Sequence, residues 1–275
     1  MRSGKLCNDL LTKDYKVGKT TVEVKSKTPM GITVTPTATK SGEQVSGTLK
    51  AAYALAPWLD GEATFGTNGS LDLSLEAADN LLKGLTLTAE CSRAAPGKGF
   101  LASGNLIAEY KSESLACKAS YDYYKTDLLA CASTVYNSIA CGVDCAYSTS
   151  KGSLSKYAAA AQFVQPDFTI LTKMDAKGKD KTISCSYYHK VSGDMQLGVL
   201  ITKPLAKPDV GIQFGTAYKL DKDTTVKAKV DDKGMLCASY KQKISALTTM
   251  TLAAEVDTVH LENNHKFGLQ LNITP

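Results

Sequence analysis

The sequence predicts an all-β transmembrane barrel forming a single domain over residues 1–275, with residues 1–19 as an N-terminal helix and linker and residues 20–275 as the barrel. Three observations carry that reading. Apolar and polar side chains alternate strictly in segment after segment, turn signals separate those segments at nearly regular intervals, and no apolar run is long enough to cross a bilayer as a helix.

In chain order the first element is helical. Leu6 and Leu10, joined by Cys7 and Leu11, recur at helical spacing, while Lys5, Asp9 and Lys13 fall elsewhere on the wheel. Periodicity does not decide whether this short amphipathic helix frays at the surface or rests inside the barrel. Strands follow. Val22 and Val24 alternate with Thr21, Glu23 and Lys25, and Leu71, Leu73 and Leu75 with Asp72, Ser74 and Glu76. Met195, Leu197, Val199 and Ile201 form another apolar face. Val210, Ile212, Phe214 and Tyr218 stand against Gly211, Gln213, Gly215 and Lys219. Val226, Ala228 and Val230 oppose Thr225, Lys227 and Lys229; Leu236, Ala238 and Tyr240 oppose Cys237, Ser239 and Lys241. A closing hairpin sets Met250, Leu252, Ala254 and Val256 against Thr249, Thr251, Ala253 and Glu255, and Phe267, Leu269, Leu271 and Ile273 against Lys266, Gly268, Gln270 and Asn272.

Turn signals fall between these stretches at Thr28-Pro29-Met30-Gly31, Lys40-Ser41-Gly42, Thr67-Asn68-Gly69, Ala176-Lys177-Gly178, Ser192-Gly193-Asp194 and Asp231-Asp232-Lys233-Gly234. A tilted barrel crossing a bilayer needs strands of about 9–11 residues, and roughly eighteen to twenty of them with short turns use up the chain. A soluble sandwich also alternates, but that many strands would usually divide into two cores.

Composition neither supports nor opposes a membrane location. The hydrophobic fraction of 43% and charged fraction of 21% match an ordinary soluble protein, yet a barrel hides its apolar surface in every second residue. The opening Met1-Arg2-Ser3-Gly4-Lys5-Leu6-Cys7 lacks the apolar core of a secretory signal, which predicts insertion from the cytosol into an organelle and fits the mitochondrial outer membrane. A net charge of +5 is modest, so no nucleic-acid partner is inferred. The eight cysteines show no paired spacing and read as scattered reduced thiols, with Cys141 and Cys145 sharing the parity of Val143 and Tyr147 as small apolar side chains.

Motifs for chemistry fail on context. Gly97-Lys98-Gly99-Phe100-Leu101-Ala102 has a loose dinucleotide pattern, but Arg93-Ala94-Ala95-Pro96 precedes it and strand-like sequence follows, so a glycine-rich loop is expected. His189, His260 and His265 have no metal spacing. No nucleophile, base and orienting group can be named together, so neither an enzyme nor a cofactor is expected. What remains is charge. If apolar faces meet lipid, the opposite faces line a lumen with Lys25, Lys50, Lys118, Lys173, Lys219, Lys227, Lys229, Lys241 and Lys266, against Glu23, Asp72, Glu76, Glu90, Asp122, Asp144 and Glu255. Taken singly, each lysine only solvates a polar face; together they predict a wide pore with a weak preference for anions.

Thr224 to Asp232, Glu255-Val256-Asp257 and Lys266-Phe267-Gly268-Leu269 closely resemble the C-terminal strands of the mitochondrial porins, the voltage-dependent anion channels. Asp9 to Tyr15, Ala78 to Leu85 and Ser186-Tyr187-Tyr188-His189 match as well, the first and last in the manner of plant members. The similarity spans nearly the whole chain and is weakest around residues 93 to 165. It implies a 19-stranded barrel with the helix inside the pore. It further implies passive passage of ATP, ADP, phosphate and other metabolic anions across the mitochondrial outer membrane, with partial closure under voltage. Bilayer lipid and sterols, further copies of the chain and other mitochondrial membrane complexes are the partners implied. The family's phosphate-contacting segment corresponds to Gly47-Thr48-Leu49-Lys50, which makes Lys50 the foremost anion contact among Lys25, Lys50, Lys118, Lys219, Lys227, Lys229, Lys241 and Lys266. Lys5, Leu6, Asp9, Leu10 and Lys13 correspond to a gating helix, with Gly18 as its hinge. The family's glycine-rich hinge is reduced here to that one residue. Animal members place a glutamate facing lipid on the fourth strand; here Glu62 has the parity opposite to Leu59, Ala63 and Phe65 and is expected to point inward. The alternatives are a related protein-import pore and a soluble β-rich binding protein.

Overall fold

The computed structural model describes residues 4–93, 103–178, 180–262 and 265–275. The glycine-rich segment Gly97 to Ala102 lies outside them. After helix α1 (Gly4–Thr12), the strands form one closed sheet of nineteen. The first, β1, runs as Thr20–Val24 and, past Lys25, as Ser26–Lys27. It is followed by β2 (Thr33–Ser41), β3 (Gln44–Ala56), β4 (Leu59–Gly66), β5 (Leu71–Ala78), β6 (Leu85–Arg93), β7 (Ser103–Lys111), β8 (Leu115–Asp122), β9 (Asp127–Tyr136) and β10 (Ile139–Ser148). The remainder are β11 (Ser153–Val164), β12 (Phe168–Lys177), β13 (Asp180–Lys190), β14 (Met195–Pro204), β15 (Gly211–Lys219), β16 (Thr224–Asp231), β17 (Met235–Lys243), β18 (Thr248–Asp257) and β19 (Lys266–Ile273).

Each strand pairs antiparallel with the next in sequence, and β19 closes on β1 in parallel, with Thr20 opposite Leu269 and Val24 opposite Ile273. The parallel seam follows from the odd count: neighbours that alternate direction around a ring can all be antiparallel only if their number is even. Closure matters because a free strand edge in hydrocarbon would leave backbone polar groups unpaired at several kcal/mol each. Local chemistry fixes the hairpins. In the β16–β17 turn the Asp231 carboxylate accepts from the Lys233 and Met235 amides, while Gly234 takes a φ of 78° that a side chain would strain.

Directly paired residues share a face of the sheet, so register carries side-chain direction around the ring. The outward face is apolar: Phe65, Leu73, Leu75, Leu252 and Phe267 are each at least 43% exposed. A water-bathed surface of that kind would be costly, whereas against acyl chains it is matched. That face sets aside the soluble binding protein. All eight cysteines are free thiols.

Candidate functional site

The lumen holds α1. Cys7, Leu10 and Leu11 are buried against Tyr188, Ala217 and the partly buried Leu200 on β13 to β15. The seat is flat because Gly198 and Gly215, opposite each other in register, carry no side chain there. A Cβ on Gly198 would stand 2.8 Å from Leu10 Cδ2, and one on Gly215 would stand 2.6 Å from Leu11 Cδ2. Burying two leucines favours docking by about 1.5–3 kcal/mol each. Leu6 departs from the simplest wheel reading and is 47% exposed, because the docked stripe is set by Cys7, Leu10 and Leu11. Lys5 is exposed, and Asp9 pairs with Lys13 at 2.8 Å along the helix.

Beyond the helix the chain leaves the helical path at Asp14, whose φ is 73°, and runs as a tether to Gly18, φ 70°. This tether gathers three of the expected lumen lysines. The Asp14 carboxylate accepts from Lys227 Nζ at 2.6 Å and lies 3.5 Å from Lys241 Nζ. Lys229 Nζ sits 4.9 Å from the centroid of the Tyr15 ring. Burial raises the proton affinity of Asp14, but the hydrogen bond and charge of Lys227, with Lys241 behind it, outweigh burial and hold the carboxyl below its ordinary range. Burial pushes the Tyr15 hydroxyl up. The Lys16 carbonyl lies against Gly268, and the Gly18 amide donates to the Phe267 carbonyl at 2.9 Å.

The other expected lysines are dispersed. Lys50 pairs with Glu62 at 2.7 Å across β3 and β4, so Glu62 faces the lumen as its parity predicts. Lys50, Lys25 and Glu23 share one lumenal recess. Lys266 pairs with Glu255 at 2.9 Å. Lys25, Lys118 and Lys219 are exposed; Lys118 stands between Glu109 and Cys131 in register. Asp14 and Tyr15 were absent from the sequence-based candidates, since nothing local marks them. The helix seat left a trace: Gly198, Leu200, Gly215 and Ala217 are small or apolar on a face that is otherwise polar.

A family model for eukaryotic porins matches residues 3–268. The chain belongs to the eukaryotic porin family. Relatives include the Neurospora crassa mitochondrial outer membrane protein porin, 29% identical over 96% of this chain and 94% of that one. The Pisum sativum outer plastidial membrane protein porin is 28% identical over 99% of this chain and 96% of its own length. The Xenopus laevis non-selective voltage-gated ion channel VDAC2 is 26% identical, covering 98% and 96%. Among solved structures, a triple mutant of the Rhodopseudomonas blastica porin superposes with a TM-score of 0.52 at 9% identity, over 82% of this chain and 88% of that one. At that identity it shows the barrel fold alone. The lumen, helix and tether of this eukaryotic porin are therefore its candidate functional site.

Proposed function

We propose that this porin is a voltage-gated, weakly anion-selective channel for passive diffusion of ATP, ADP, phosphate and small ions across the mitochondrial outer membrane. The observation that carries the proposal is the docked N-terminal segment: a closed, lipid-faced barrel holds a charged helix on the lumen wall by one apolar stripe and one ion-paired tether. A wide lumen with a small cationic excess concentrates anions only mildly. The helix and tether lie where a transmembrane field acts on their charges, and their release narrows or reshapes the lumen. Lys25, Lys50, Lys118 and Lys219 give passing phosphates transient partners, whereas Lys227, Lys229 and Lys241 are held by the tether while it is docked. Surrounding lipid, sterols, further copies and other mitochondrial membrane complexes are its partners in this reading. ATP sealed in liposomes bearing the refolded protein tests it: release without any energy source, with large dextrans retained, is expected, and retained ATP overturns it.

A further inference from the structure

Charge on the lumen wall is not evenly spread. On β4, β5 and β6 the inward positions carry Asp60, Glu62, Asp72, Glu76 and Glu90, with no basic side chain among them. Asp60 stands directly opposite Glu76 in the ladder, and both line one lumenal recess with Glu62, where Lys27 of β1 is the one basic side chain against these three acids. Of these acids Glu62 is matched by Lys50 from β3. Elsewhere on the wall, β15, β16 and β17 turn Lys219, Lys227, Lys229, Lys241 and Lys243 inward, against Asp231 and the tether's Asp14. β16 lies three strands before the β1–β19 seam and β5 four strands after it, so the two sectors face each other across the pore.

Resting on the porin reading above, we infer that small cations and anions cross this lumen chiefly in separate lanes, the cations along Asp60, Asp72, Glu76 and Glu90 and the anions along the opposite wall, where Lys219 and Lys243 add to the three lysines the tether engages, while Lys25, Lys50 and Lys118 remain local phosphate contacts outside that lane. The scale of screening decides it. Strands spaced ~4.8 Å apart and tilted ~40° close into a nineteen-stranded barrel roughly 38 Å across, leaving roughly 25 Å between facing side chains. The Debye length at physiological ionic strength is about 8 Å, so the field of each sector dies away before it reaches the other. Weak overall selectivity is then the difference between two selective lanes and not the average of a weakly charged pore.

The test uses the full chain in planar bilayers at about 0.15 M salt. Potassium current is isolated with a bulky sulfonate as anion, and chloride current with N-methylglucamine as cation. The variant Asp60→Asn, Asp72→Asn, Glu76→Gln should lose about twofold in potassium current with chloride current unchanged. Lys219→Gln with Lys243→Gln, which leaves the tether contacts intact, should lower chloride current alone. A reciprocal response, one ion rising as the other falls, means a single averaged field and overturns the lanes, as does no response in either current. At about 0.01 M the Debye length reaches roughly 30 Å and spans the pore, so reciprocity should appear there; independence at that salt contradicts the screening basis. A wild type that carries no current at all sinks the porin reading itself, an outcome distinct from all of these.

Discussion

Asp14 joins the mobile-charge problem to the wall. Its carboxylate is the acceptor for a partly buried Lys227 whose side chain is only 16% exposed, so removing the acceptor leaves an ammonium poorly solvated and poorly paired. Charge-assisted hydrogen bonds of this kind contribute roughly 1.5–3 kcal/mol. Asp14→Asn should therefore let the pore close at smaller voltages of either sign, measured as a shift of the half-closing voltage; an unshifted value means that the ion pair does not hold the tether. The pH dependence has a definite sign. Released, Asp14 titrates near 3.8; docked, it titrates lower, so the docked state binds fewer protons. The ion pair's contribution is complete above the ordinary carboxylate range and is lost as pH falls through the lowered docked value. Half-closing voltages recorded at pH 7 and pH 5 should agree as far as Asp14 is concerned, and should drop only below about pH 4.

At the level of elements, α1 and its tether are held by absences as much as by contacts. A Cβ on Gly268 would overlap the Lys16 carbonyl oxygen, a backbone atom that cannot swing aside. Gly268→Ala should thus displace the tether more than Gly198→Ala, which meets side chains alone, the flexible end of Leu10 and, less closely, Cys7 Sγ; limited proteolysis between α1 and β1 would rank them, with equal cleavage arguing against the seat described. These glycines show why the site was half legible. Strand position and parity placed Lys227, Lys229 and Lys241 on the inner wall, and helical spacing found α1, because both depend on local periods. The pairing with Asp14, and the choice of Cys7, Leu10 and Leu11 over Leu6 as the docked stripe, depend on contacts across two hundred residues that no local pattern encodes.

For the molecule as a whole, the same limit sorts the barrel. Alternation is plain from Leu71 to Glu76 and from Met195 onward, where apolar outward residues alternate with inward ones that are polar or small, Leu200 of the helix seat excepted. It fades over β8 to β11, where the lumen face itself is lined by Ala116, Gly142, Ala158 and Ala160 and the outward face by Ala119, Ala130, Ala159 and Ala161. With small residues on both faces, period two loses its contrast although the ladder persists. Where contrast is strong, lipid exposure is a firm prediction: Leu269→Lys on β19 should destabilise the folded barrel by roughly 2–4 kcal/mol near the midplane. Urea titration in lipid vesicles would measure it, and an unchanged midpoint would reverse the assignment of faces.

Single-channel current across a planar bilayer, under a salt gradient and with voltage stepped to both signs, tests the central claim most directly. The docked helix and bipolar lumen predict large conductance steps that fall to a less conducting state at either polarity, with mild anion preference at zero current. A bilayer that stays silent when folded protein is added, or steps that never close at any voltage, would contradict it.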